Sequence, residues 1–191
     1  MAKCQECQKN EVYIHFGEDR LCLDCFNEIM ANELGVEAES YPEGVTLRDG
    51  KGEVHHFRLR KRLDPMGIVM EAEEQASGGY HFQVFGDLHG DQGELFLQLI
   101  SKAERGMAEM YVEARKFSNG QSSLSMKKDR MAGRIEWNPL DEDVPVLVVD
   151  GKSYAWKEIG KMLMSYEGFQ VKLEMVDPSE EVRWSEREEK D

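Results

Sequence analysis

Cysteine is scarce in this chain of 191 residues: there are four, all within the first 25 positions. Nothing beyond that stretch could form an oxidised framework, which suits a reducing compartment. Positive charge is also short, with 24 Lys+Arg against 38 Asp+Glu and a formal net charge of -14. Nucleic-acid binders draw most of their affinity from Lys and Arg that neutralise phosphates, so this balance argues against that class. No apolar run approaches the ~20 residues needed to cross a bilayer, and Met1-Ala2-Lys3-Cys4 has no hydrophobic signal core. The expected setting is the cytoplasm, away from membranes. A Walker-type phosphate loop, a nucleophile elbow and a dinucleotide fingerprint are all missing.

The four cysteines are arranged as Cys4-x-x-Cys7 and Cys22-x-x-Cys25, with fourteen residues between the pairs. Two residues between thiolates let one tight turn offer both sulfurs to one ion, and a second such pair completes a tetrahedron. Tetrahedral sulfur sites select zinc or iron. The leading expectation is one structural zinc per chain, with a rubredoxin-like iron centre and a redox dithiol as alternatives. Four protein ligands leave no open position for water, so the metal should hold shape and not catalyse hydrolysis. Between the pairs, Val12 to Phe16 alternates, Gly17-Glu18-Asp19 turns, and Arg20-Leu21 returns, which predicts a hairpin. Phe26, Ile29, Met30 and Leu34 then recur at helical spacing until Gly35. So small a unit should draw most of its folding energy from the metal, about 10 to 16 kcal/mol in zinc-finger peptides. Its charges are Lys3, Lys9 and Arg20 against Glu6, Glu11, Glu18, Asp19, Asp24, Glu28 and Glu33, which again disfavours nucleic acid.

Residues 35–44 have no periodicity and read as a solvated linker between a module at 1–34 and a larger domain at 45–176. In that domain Val54 to Leu63 alternates as a strand, Ile68 to Ala72 returns, and Tyr80 to Phe85 forms a third strand. Asp91 to Phe117 predicts one long helix whose buried stripe contains Phe96, Ile100, Ala103, Met107, Met110, Ala114 and Phe117. Ser118 to Gly133 reads as a polar connection. Arg134 to Trp137 and Val144 to Val149 predict strands, Ser153 to Tyr166 a helix, and Phe169 to Met175 a last alternating strand. The order of three strands, helix, two strands, helix and strand implies an α+β fold with two main helices on a mainly antiparallel sheet. A charged tail follows at 177–191, with Val182 and Trp184 as its few apolar residues.

Cys4-Gln5-Glu6-Cys7-Gln8-Lys9, the hairpin with His15-Phe16, and Leu21-Cys22-x-x-Cys25 together resemble the N-terminal zinc module of bacterial protein-arginine-kinase activators. That resemblance implies a treble-clef or zinc-ribbon unit over about 30 residues. The further cysteine pairs and the C-terminal helical motif of those activators are not in this chain, so kinase activation does not carry over. Residues 45–176 resemble an uncharacterised bacterial domain that occurs with such modules.

A second motif, Gly86-Asp87-Leu88-His89-Gly90 between a strand and a helix, is similar to the first metal-binding motif of calcineurin-like metallophosphatases. There Asp87 and His89, with His81 as a further candidate, would contribute to a dinuclear centre. The downstream ligand segments of those enzymes are missing, and His89 is the last histidine in the chain. The plainer reading is a turn that glycines bend and Asp87 or Asp91 caps. His55, His56, His81 and His89 fall on different strands and a turn, positions that suit ordinary half-buried residues as well as a second metal site. His56, Arg58, Arg60 and Arg62 form a basic strand face able to bind an anion, or to pair with neighbouring carboxylates. Altogether the sequence points to a non-catalytic zinc-binding adaptor or regulator with a protein partner. A phosphatase-like hydrolase and a weak nucleic-acid binder are the alternatives.

Overall fold

The computed structural model describes residues 2–76, 78–116 and 122–184. It is an α+β chain whose strand pairings are antiparallel. A short hairpin of β1 (Ile14–Phe16) and β2 (Asp19–Leu21) leads into α1 (Leu23–Leu34). A four-stranded meander follows: β3 (Gly44–Arg48), β4 (Val54–Asp64), β5 (Gly67–Glu74) and β6 (His81–Gly86). Then come α2 (Gln92–Ala108) and a hairpin of β7 (Val112–Lys116) with β8 (Ser122–Met126). A three-stranded sheet of β9 (Arg134–Glu136), β10 (Val146–Val149) and β11 (Lys152–Ala155) precedes α3 (Trp156–Leu163), which ends in a 3-10 turn at Met164–Tyr166. No helix among the described residues is long and apolar enough to cross a membrane.

The alternation in β4 has the consequence its period demands. Phe57, Leu59, Lys61 and Leu63 are buried, and the intervening side chains are exposed or half-buried. Helix α2 covers this sheet with Leu95, Leu99, Ala103 and Met107, and Phe96 and Ile100 flank the stripe. Asp91 caps the helix by accepting from the Glu94 amide at 2.9 Å. One apolar core joins these residues to Cys4, Leu21, Cys22, Cys25, Phe26 and Met30 of the cysteine module.

The joint between module and sheet is a set of hydrogen bonds to β4. Beyond the end of β3, the Leu59, Lys61 and Leu63 amides have no neighbouring strand. They donate instead to the Glu43 carbonyl (2.9 Å), the Tyr41 hydroxyl (3.0 Å) and Asn27 Oδ1 (2.9 Å). The Asn27 amide nitrogen in turn donates to the Lys61 carbonyl at 2.6 Å. The buried Lys61 ammonium donates to Gln92 Oε1 at 2.6 Å and to the Glu39 carbonyl. Gln92 also donates to the Glu37 carbonyl at 2.6 Å. Burial pulls the Lys61 ammonium below the usual lysine range, and these acceptors are what hold its protons. The segment at 35–44, read from sequence as a solvated linker, is exposed along most of its length yet tied to β4 and α2 by these bonds.

The structure departs from the sequence reading from the end of α2 onward. Helix α2 stops at Ala108 instead of running to Phe117, which lies outside the described residues. There the Asp150 carboxylate accepts from the amides of Tyr111 (2.9 Å) and Val112 (2.8 Å), and β7 pairs with a strand in what the sequence offered as a polar connection. A second, smaller core forms from Val112, Val149, Tyr154, Ile159 and Met162. In α3, Ile159 and Met162 are buried, while Trp156 and Leu163 are exposed.

The alternating segment from Phe169 to Met175 has no strand partner among the described residues, and its apolar side chains are exposed. Both of its ends are nevertheless held. Phe169 packs edge-on against Tyr166, whose hydroxyl donates to Asp129 at 2.8 Å. Past the segment, Lys102 donates to the Pro178 carbonyl at 2.7 Å, Arg105 pairs with Glu181, and Trp184 donates to the Tyr111 hydroxyl at 3.2 Å. The tail up to 184 is therefore anchored, and residues 185–191 lie outside the described residues, as does Ser77 of the turn before β6.

Asn27→Ala removes an acceptor from the buried Leu63 amide and a donor from the Lys61 carbonyl. Leaving such groups unpaired costs about 1–3 kcal/mol each. Chemical denaturation of the variant should show a lower midpoint with an unchanged slope, whereas Asn32→Ala, on the exposed face of α1, should leave the midpoint where it was.

Candidate metal centre

The first cysteine pair lies on a tight turn. The Gln8 amide donates back to the Cys4 carbonyl at 3.0 Å, and Gln8 takes a left-handed φ of 56° so that the chain can leave the turn. The Gln8 side chain steadies this conformation by donating to the Gln5 carbonyl at 2.8 Å. The second pair opens α1. Cys22 is the residue before the first turn, and its carbonyl accepts from the Phe26 amide at 3.0 Å. The turn is tied to the hairpin by Cys4 N–H to the Asn10 carbonyl (2.9 Å) and Gln5 N–H to the Arg20 carbonyl (2.9 Å). Asn10 then donates to Asp24 at 3.0 Å and approaches Cys22 Sγ at 3.9 Å, reaching between the two pairs.

All four Sγ atoms lie within 4.8 Å of one another, and Cys7 Sγ is 3.8 Å from Cys22 Sγ. A tetrahedral centre with metal–sulfur bonds of ~2.3 Å requires sulfur–sulfur separations of about 3.8 Å. A disulfide needs about 2.05 Å. The arrangement thus fits a tetrathiolate metal ion, and Cys4, Cys22 and Cys25 are buried where one ion would touch them all.

The thiols differ in acidity according to their surroundings. Burial pushes the Cys4 thiol up, but the amides of Cys7, Cys22 and Glu6 together outweigh it and bring Cys4 down to about 6. Amides of Asn10 and Lys9 lower Cys7 in the same way. Burial dominates for Cys22 and Cys25 and pushes both up. The two thiols of the tight turn are thus the more acidic, and the helix-side pair is the more reluctant to lose its protons.

The Gly86–Gly90 segment is a self-contained turn. Asp87 Oδ1 accepts from the His89 amide at 2.9 Å, and the Gly90 amide donates to the Asp87 carbonyl at 3.0 Å. A cavity of about 160 Å³ beside it is lined by Gly86, Asp87, Asp91 and Glu94 among others, without His89 or His81. Asp87, His89 and His81 form no shared ligand group among the described residues; the His81 ring lies 4.0 Å from Glu71 instead.

In the basic stripe, Arg60 pairs with Glu73, Arg62 lies 3.8 Å from Asp64, and His56 bonds Thr46 at 3.0 Å. Arg58 stands opposite Glu73 in the strand register. The guanidinium of Arg60 also sits 5.1 Å over the ring of Tyr13, joining the stripe to the cysteine module.

A metal bound at the cysteines should be held more tightly as pH rises, because the Cys22 and Cys25 thiols, shifted up by burial, compete for protons below their own pKa values. Calorimetry in buffers of different ionisation enthalpy should record release of those protons on metal binding. Removing the metal with a chelator should also loosen the sheet, because Cys4 and Cys25 share a core with Leu59 and Leu63. Hydrogen exchange at the β4 amides should then accelerate together with that of α1.

Three family models match the chain in consecutive stretches: Domain of unknown function (DUF7685) over residues 3–37, Domain of unknown function (DUF7686) over 39–108, and Domain of unknown function (DUF7713) over 111–180. The boundary between the latter two falls where α2 ends and the second core begins. No curated protein and no solved structure matches the chain.

Proposed function

We propose that this chain is a zinc-stabilised, non-catalytic protein that docks a protein partner by strand addition through residues 169–175. The observation that carries this reading is the arm itself. Phe169, Val171, Leu173 and Met175 alternate with polar residues, Val171 and Leu173 are 83% and 75% exposed, and the backbone has no ladder partner among the described residues. A β-type sequence with unmet backbone groups and one apolar face is what an exposed sheet edge on another protein can accept. Both ends of the arm are pinned, so less chain entropy is lost when it pairs.

Zinc is favoured over iron at the cysteines because a closed site that shares the hydrophobic core supplies folding energy and needs no redox chemistry. The likeness of the module to that of the protein-arginine-kinase activators, which act on another protein, supports a protein as the partner. Docking is expected to occur in the cytoplasm.

The double variant Val171→Asp, Leu173→Asp should fold with stability within about 0.5 kcal/mol of the parent, since both side chains are exposed. It should lose a partner that the parent retains in affinity capture from its host. In the parent complex the amides of 169–175 should become protected from hydrogen exchange. Equal capture by parent and variant, with no protection of the arm, defeats this reading. A red purified protein with iron at the cysteines defeats the zinc assignment alone.

A further inference from the structure

The turn between β3 and β4 brings together donors of a different kind from the thiolates. Asp49, Glu53 and His55 each place a ligand atom within 4.8 Å of the others. Asp49 is held rigidly. Its Oδ1 accepts from the amides of Lys51 (2.9 Å) and Glu53 (2.8 Å), its own amide donates to the Glu53 carbonyl (3.0 Å), and the neighbouring Gly50 amide donates to the Met107 carbonyl (2.9 Å). This leaves Oδ2 directed at the imidazole of His55.

The imidazole is held as firmly. Its Nδ1 lies 2.7 Å from Glu74 Oε1, and the other oxygen of that carboxylate accepts from the Tyr80 amide at 2.8 Å. The Tyr80 ring packs edge-on against the imidazole at 5.3 Å and 85°. A carboxylate only accepts, so Nδ1 carries a proton, and a ring that binds a metal through its other nitrogen presents the lone pair of Nε2.

That Nε2 atom is buried and has no hydrogen-bond partner, although Asp49 Oδ2 is 3.5 Å away. The separation is longer than the 2.7–3.2 Å of an N–H···O bond. Two ligand atoms bound at ~2.1 Å to one ion lie about 3.0 to 3.4 Å apart, close to what is observed. A lone pair and a carboxylate facing each other across such a gap call for a cation between them. A carboxylate on the far nitrogen of a ligating histidine is also the usual way in which its orientation is fixed.

We propose that Asp49 Oδ2, His55 Nε2 and the Glu53 carboxylate form a second divalent-cation site, separate from the cysteines, for a borderline ion such as manganese(II) or zinc(II). Glu53 is exposed, so the site opens to solvent on that side and water completes the coordination. One imidazole with two carboxylates suits such ions, whereas the thiolate cluster is too soft for manganese(II).

The test uses the full chain with its cysteine site already loaded. Titration with manganese(II), followed by loss of the free-ion electron paramagnetic resonance signal, should show one equivalent bound. Glu53→Gln and Glu74→Gln, the first a ligand and the second the support of His55, should each weaken binding at least about tenfold. In the parent, bound manganese should broaden the His55 ring resonances, a readout that depends on no variant's folding. Absence of binding by both manganese(II) and a second equivalent of zinc(II) overturns the proposal. So does binding that leaves the His55 signals sharp and survives both substitutions, and so does a His55 ring found protonated on both nitrogens and unaltered by either metal.

Discussion

A strand longer than its neighbour leaves backbone donors that must be satisfied from elsewhere, and β4 is such a strand. Its amides at Leu59, Lys61 and Leu63 run past the end of β3 and are met by Glu43, Tyr41 and Asn27 in succession. Asn27 belongs to α1, which Cys22 caps and whose first turn carries Cys25. The geometry of the thiolates and the pairing of the sheet are therefore two ends of one short chain of contacts. Lys61 tightens the same joint from inside, its ammonium bound to Gln92 and to the Glu39 carbonyl, so the connecting segment is fixed over the gap as well. Burying a lysine is costly without acceptors, and the two that Lys61 finds offset part of that cost.

Much of this was legible in the sequence wherever one local period was decisive. The cysteine spacing pointed to the four thiols that the fold brings within 4.8 Å of one another, the two-residue alternation of Val54 to Leu63 gave both the strand and its buried face, and the helical recurrence from Phe26 to Leu34 gave α1. Legibility failed where distant groups override local pattern. The helical stripe continued on paper through Met110 and Ala114, but Asp150, far along the chain, captures the amides that would have extended α2. Likewise β3 contains only Val45 and Leu47 as apolar members, too few to declare a strand without the partner that pairs with it. Phe169 to Met175 reads as a strand because its side chains have that period, yet a strand also needs an edge, and none is offered to it among the described residues.

The same distinction applies to the sites. Four cysteines in two close pairs announce a ligand set because sequence proximity already ensures spatial proximity. His55 gave no such signal. Its neighbours Asp49 and Glu53 become ligands only when the turn folds back, and Glu74, which fixes its ring, comes from the next strand. In the other direction, Gly86 to Gly90 is similar to a catalytic metal motif, and its plainer reading as a turn is the one that matches the fold, where Asp87 Oδ1 accepts from the turn's own backbone.

The stacking of Arg60 over Tyr13 places a residue of the sheet against one of the cysteine module on the outside of the molecule, while Asn27 joins the two within. Held by these contacts, the two parts present their side chains to another molecule together. The small module is thus less an appendage than a corner of a larger face, and what approaches it meets a fixed mosaic of hairpin and sheet side chains. Recognition there would depend on the relative placement of the two parts, a property carried by neither the first 34 residues nor the sheet alone.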